Sequence, residues 1–149
     1  MRYFRKILIL CVLFLLSFSA LYADSWKYQG ELALKKDEVY KMAFKQKAQI
    51  KELFFRWTLY KNEGLVMHLK YDGFVHQFIL YRDFQRSTFK LPLFAPEPKA
   101  LSFPYLWLVF KDFRRDIKMA TIKFYIHDGG KDFTLDSQGK VGSVGFGAY

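Results

Sequence analysis

Phe55-Arg56-Trp57-Thr58-Leu59-Tyr60-Lys61-Asn62-Glu63-Gly64-Leu65-Val66-Met67-His68-Leu69-Lys70-Tyr71-Asp72-Gly73-Phe74 carries two turn signals set between runs that alternate apolar and polar residues. Alternation at a period of two marks a half-buried strand, because successive side chains point to opposite faces of a sheet. Asn62-Glu63-Gly64 reads as a three-residue hairpin loop whose glycine takes the left-handed position of a bulge. That register sets Leu59 opposite Met67, Trp57 opposite Leu69 and Phe55 opposite Tyr71. Asp72-Gly73 is the stronger, two-residue signal, and it sets Tyr71 opposite Phe74, Leu69 opposite His76 and Met67 opposite Phe78. One face of the meander then collects Leu53, Phe55, Trp57, Leu59, Leu65, Met67, Leu69, Tyr71, Phe74, Phe78 and Leu80 as a core. The other face, with Arg56, Thr58, Tyr60, His68, Lys70, Gln77 and Tyr81, is mixed and expected to be wet.

The same period extends outward from this centre. Trp26, Tyr28, Leu32 and Leu34 alternate with polar residues, as do Tyr40, Met42 and Phe44 with Lys41 and Lys45. Residues 37–48 are read as strand, with a helix as the rival because Tyr40, Phe44 and Ala48 also fall at helical spacing. Tyr105 to Phe110 is apolar without alternation, which predicts a central strand covered on both faces. Ile117 to His127 and Asp132 to Asp136 are expected to form a hairpin about Gly129-Gly130, pairing Ile126 with Phe133, His127 with Asp132 and Lys123 with Asp136. The prolines of Ala95-Pro96-Glu97-Pro98-Lys99 mark an exposed loop, and the glycine-rich tail 139–149 is either a weak last strand or frayed. The sum is an all-β domain, an antiparallel β-sandwich or small β-barrel of about nine or ten strands.

Ahead of that domain stand Arg2, Arg5 and Lys6, an apolar run from Ile7 to Phe18, and a segment ending at Ala23. This is the layout of a signal peptide over residues 1–23, with an uncleaved membrane anchor as the alternative. Residues 24–149 then form a single β-rich domain, large enough to bury roughly two-thirds of its unfolded surface. The one cysteine, Cys11, lies in the leader, so the domain has neither disulfide nor cysteine metal site. Three of the 24 basic residues also lie there, leaving 21 against 14 acidic ones, a balance of +7 with histidines neutral. A basic exported domain meets anionic partners: an acidic envelope protein, a lipid head group or a glycan. Nucleic acid is not expected, because no motif for it is present.

Catalytic and metal constellations are wanting. The meander's register puts His68 and His76 on opposite faces, so they cannot share an ion, and His127 is matched with Asp132. Gly142-Ser143-Val144-Gly145 lacks the glycine two residues before its serine that a nucleophile elbow needs, and Gly139-Lys140 lacks the frame of a phosphate loop. No cofactor is implied. The surface candidates are Lys41, Lys45, Lys47 and Lys51, which share one face if the region is strand, and which either dock an anionic partner or guard an edge strand. Tyr60, Tyr81, Tyr105 and Tyr125, on outward or ambiguous positions, offer an aromatic platform for a glycan or a protein. The function these features favour is that of a non-enzymatic periplasmic protein that binds an envelope protein or another envelope component through a basic, aromatic-rich sheet surface. The alternatives are a small barrel carrying an apolar ligand and an outer-membrane β-barrel.

Overall fold

The computed structural model describes residues 26–83, 85–94, 102–142 and 146. The leader 1–23, the proline loop 95–99 and residues 143–145 and 147–149 of the tail lie outside the described residues. Among the described residues nine strands appear in chain order: β1 (Tyr28–Lys35), β2 (Val39–Gln46), β3 (Gln49–Lys61), β4 (Gly64–Tyr71), β5 (Phe74–Tyr81), β6 (Thr88–Pro92), β7 (Tyr105–Arg114), β8 (Met119–His127) and β9 (Thr134–Val141). They form two antiparallel sheets, one of four strands in the order β1-β8-β7-β6 and one of five in the order β5-β4-β3-β2-β9. The architecture is thus a β-sandwich, and residues 39–46 are strand rather than helix.

Inward-facing side chains of both sheets meet across the interior. Leu34, Leu106, Leu108, Ile122 and Ile126 of the four-stranded sheet oppose Met42, Phe44, Leu53, Phe55, Leu65, Met67 and Leu69 of the other, all fully buried. Each such side chain contributes about 1.5–3 kcal/mol by leaving water. Gly30 makes room for a neighbour: a Cβ there would stand 2.5 Å from the ring of Phe124, its partner on β8.

The two turn signals fare differently. At Asp72-Gly73 both residues take positive φ (49° and 85°), and the register Tyr71–Phe74, Leu69–His76, Met67–Phe78 is the one the sequence predicts. At the other turn Asn62 and Glu63 take positive φ (51° and 60°), while Gly64 begins β4 opposite Lys61. The loop therefore has two residues, not three. A bulge between Trp57 and Leu59 then slips the ladder once more, so that Trp57 faces Met67, Phe55 faces Leu69 and Leu53 faces Tyr71. An extra residue reverses every side chain beyond it. Leu59 consequently points to solvent at 51% exposure, and Tyr60 turns in against the core. Phe74, expected inside, lies at the end of the sheet and is 72% exposed.

The expected hairpin between residues 117–127 and 132–136 is absent. β8 is flanked by β1 and β7, so neither of its edges is free for β9, which pairs with β2 in the other sheet. Gly129 packs against the backbone of Phe103 and Pro104, where a Cβ would meet Phe103 at 2.2 Å, and Ser102 Oγ donates to its carbonyl at 2.9 Å. Phe133 is 1% exposed and lodges beside Phe44 and Phe94, drawing the chain across to the second sheet. Lys123 accordingly faces Glu31, with its Nζ 3.9 Å from the carboxylate, and Asp132 lies 3.9 Å from Lys27. Strand β7 is central, as expected, but it alternates: Leu106, Leu108 and Phe110 are buried, whereas Tyr105, Trp107 and Val109 are half-buried on the outer face. Gly139 lies inside β9, so that part of the tail is a last strand.

The chain changes sheet at the corner between β1 and β2, which β3 secures. The buried Trp57 indole N–H donates to the Leu34 carbonyl at 2.8 Å, and the Asp37 amide donates to the Trp57 carbonyl at 2.9 Å. Trp57→Phe removes this buried hydrogen bond between the sheets, which costs about 1–3 kcal/mol. A fall of that size is expected in urea unfolding, and an unchanged midpoint would rule out the indole bond as the tie between the sheets.

Tyr71 marks the opposite end of the core. Its hydroxyl accepts the Phe94 amide at 3.1 Å, and burial pushes its phenol up to about 12. Because that lies above the unfolded value of about 10, the contribution is whole below pH 10 and is lost as pH rises through 12. Tyr71→Phe should flatten the fall in stability between pH 9 and about 12, by up to roughly 2–3 kcal/mol in urea unfolding. Parallel curves for the two proteins would refute this.

Candidate functional site

The four lysines of the predicted stripe do not form one patch. Lys41 and Lys45 share the outer face of the five-stranded sheet, where Lys41 is paired with the Glu52 carboxylate and lies over the Phe54 ring at 5.4 Å. Lys47 sits in the turn after β2 with φ 54°. Lys51 stands opposite the fully buried Phe44, so it belongs to the inner side, at the sheet's end. Its Nζ is 2.6 Å from Asp72 and rests over the rings of Tyr71 and Phe94 at 5.9 and 5.8 Å. The reason is the length of the turn: with two residues between Gln46 and Gln49, odd positions of β2 face even positions of β3. Nor is β2 an edge, since β3 and β9 flank it, so these lysines guard no exposed ladder.

The tyrosines divide as well. Tyr60 is turned inward, stacked on Phe113 at 3.8 Å, with its hydroxyl donating to Glu63 at 2.8 Å. Tyr81 ends the edge strand β5 beneath the Arg86 guanidinium, 4.3 Å from its ring centre. Tyr105 and Tyr125, by contrast, converge on the outer face of the four-stranded sheet.

That face is built in rows by the strand registers. His127, Tyr105 and Pro92 form one row; Tyr125, Trp107 and Lys90 the next; Lys123, Val109 and Thr88 the third. Antiparallel neighbours on one face stand close enough for aromatic pairs to interact, and these do. Tyr105 stacks on His127 at 5.1 Å, and Trp107 meets Tyr125 at 5.7 Å. Trp26, just ahead of β1, lies across both rows, 5.6 Å from Trp107, 5.2 Å from Tyr125 and 5.9 Å from Tyr105. Lys90 holds its ammonium 3.5 Å from the Tyr105 ring centre, a cation–π contact. The Gly129 amide donates to His127 Nδ1 at 2.9 Å, which leaves the proton of a neutral ring on Nε2.

Beside the rings lies a hollow of about 620 Å³, lined by Trp26, Gln85, Ser87, Thr88, Trp107, Val109 and Tyr125. Three of its seven lining residues are aromatic, and Gln85 and Thr88 bring an amide and a hydroxyl, a composition that suits a ligand with an apolar face and a polar edge. Trp26 and Trp107, the centre of this surface, are not legible as surface residues: Trp26 continues the apolar face of the first alternating run, and Trp107 lies in the run Tyr105 to Phe110, which looks covered on both sides. The signal that finds Trp107 is its place between Tyr105 and Val109 on the face opposite Leu106 and Leu108.

Among the described residues no group of three His, Cys, Asp or Glu side chains is placed to hold a metal ion. His68 lies opposite Gln77 on the outer face of the five-stranded sheet, with burial and then Arg56 lowering its pKa, and His76 lies opposite Leu69. No family model, no curated protein and no solved structure matches the chain.

The three tryptophans should separate by quenching. Trp57 is 3% exposed, whereas Trp26 and Trp107 border the open hollow. Iodide is expected to leave a shielded component of the fluorescence that disappears in Trp57→Phe and persists in Trp26→Phe and Trp107→Phe. A single class of emitters would contradict this placement.

Proposed function

We propose that the protein is an exported, non-enzymatic component of the cell envelope, working in the periplasm, that holds an envelope glycan on the outer face of its four-stranded sheet. The observation that supports this reading is the junction of Trp26, Trp107 and Tyr125 at a hollow that Gln85 and Thr88 also line. A pyranose ring has an apolar C–H face and a belt of hydroxyls. The face loses water against an aromatic ring, while amide and hydroxyl groups at the rim replace the hydration of the belt. Rigid aromatic side chains give such contact at little cost in conformational entropy. Lys90, one strand over in the Trp107 row, and the basic balance of the domain favour a sugar that carries acid groups.

Binding of peptidoglycan fragments and of acidic envelope oligosaccharides tests this directly. Trp107→Ala and Tyr125→Ala are each expected to weaken binding by tenfold or more with little loss of stability, since both rings lie on the open face. Lys41→Gln and Lys45→Gln should leave it unchanged. The reading fails if no glycan shifts the tryptophan emission, or if the lysine variants weaken binding and the aromatic ones do not.

A further inference from the structure

A second hollow, of about 290 Å³, opens at the end of the sandwich where the β1–β2 corner, the β7–β8 turn and the bulged part of β3 meet. Its floor is aromatic, made of Trp57, Tyr60 and Phe113, with Tyr60 and Phe113 stacked at 3.8 Å. Its rim is cationic: Lys36 comes from the first turn, Arg115 and Lys118 from the second. The bulge between Trp57 and Leu59 is what places Tyr60 here and not on the outer face, and bulges recur where a side chain is re-aimed beside a site.

The charges around this hollow do not cancel. Arg115 lies 2.6 Å from Glu63, which is also 3.3 Å from Arg82, and Arg82 reaches Asp112 at 3.5 Å. The hydrogen bond from Tyr60 and the nearby guanidinium groups hold Glu63 below the usual carboxylate range, so it stays ionised. The neighbouring pairs Arg56–Asp37 and Arg114–Asp116 are balanced. Lys36 and Lys118 have no ion-pair partner among the described residues, so the four cations Lys36, Arg82, Arg115 and Lys118 stand against the two carboxylates Glu63 and Asp112. Two positive charges are left over.

We propose that this hollow binds a phosphate monoester carried on a flat or apolar group. A monoester bears close to two negative charges at neutral pH and presents three acceptor oxygens. The two lysines supply mobile point charges, and Arg115 uses only part of its five-donor fork on Glu63. The apolar portion of the ligand lies on Tyr60 and Phe113. A carboxylate would neutralise only half of the surplus, and a neutral ligand none of it.

Phenyl phosphate is the probe, titrated by calorimetry into the folded chain, with inorganic phosphate and phenol as partial ligands. One saturable site per chain is expected for phenyl phosphate, binding at least tenfold more weakly for inorganic phosphate, and none for phenol. Both lysines are exposed turn residues, so the double variant Lys36→Gln, Lys118→Gln should keep its fold, checked by circular dichroism, while losing affinity tenfold or more; Lys45→Gln and Trp107→Ala should bind as the parent. Absence of a saturable site, equal binding of phenol, or an unaffected double variant would overturn the proposal, and equal affinity for inorganic phosphate would overturn the part given to the aromatic floor. Vesicles containing phosphatidic acid identify the source: capture that requires Lys36 and Lys118 supports a lipid-borne monoester, and binding of the soluble ester without capture supports a soluble one.

Discussion

The hydrogen bond from the Trp57 indole to the Leu34 carbonyl lies where the two sheets become one molecule. β1 and β2 are consecutive in sequence yet belong to different sheets, separated by only three residues. Asp37 there takes a φ of 63°, and its amide is held by the Trp57 carbonyl. Glu38 closes the turn, accepting the Lys35 amide at 3.0 Å, and the same carboxylate meets Lys140 of β9 at 3.0 Å. The first two and the last two strands are therefore tied together at one corner: β1 zips to β8, β2 zips to β9, and both long-range ladders depend on the first two strands parting here. Such non-local pairing repays its loop-closure cost only once both sheets are assembled.

The contrast between the two turns shows what was legible in the sequence. Asp72-Gly73 states its geometry, because only residues tolerant of positive φ suit a two-residue hairpin and no neighbour overrides it. Asn62-Glu63-Gly64 offers the same tolerance at a different place, and tertiary contacts choose: Glu63 takes the left-handed position while its carboxylate is bound by Tyr60, Arg82 and Arg115. Arg82 and Arg115 lie 19 and 52 residues further along the chain, so no local rule chooses the loop length. The bulge near Thr58 is equally silent. Together these slips move Leu59 out and Tyr60 in, while Trp57, Phe55 and Leu53 keep the face that alternation assigns them.

Pairing between distant strands was less legible than strand position. Apolar and charged residues of 117–127 and 132–136 match well enough to suggest a hairpin, yet complementarity between neighbours does not say whether an edge remains free. β1 already covers one edge of β8 and β7 the other. The same limit governs the surface. Tyr105 and Tyr125 are recognisable as outward aromatic residues, but that they stand in adjacent rows beside Trp107, under Trp26, follows from a register between β7 and β8 that the sequence pattern did not contain. The lysines dispersed for a related reason, the parity of one short turn.

The two outer faces of the sandwich solve the same problem in opposite ways. On the five-stranded sheet, polar and charged groups interrupt the apolar ones: Lys41 is matched with Glu52, Arg56 lies over Phe146, and the exposed apolar side chains are aliphatic, Leu59 and Ile79 flanking Val66 in one short row and Ile50 standing apart from it. A short aliphatic row of that kind is ordinary on a protein surface. On the four-stranded sheet the apolar groups are gathered, with Trp26, Tyr105, Trp107 and Tyr125 in mutual contact and a hollow beside them. Gathering large rings in one place serves the core no better than scattering them would, because the inner faces are already filled by aliphatic and phenyl side chains. Aromatic rings gathered on an outer face are the kind of surface that ligand and partner sites use. The difference between the faces is therefore what favours the four-stranded sheet for the proposed glycan site, with the five-stranded sheet as its support.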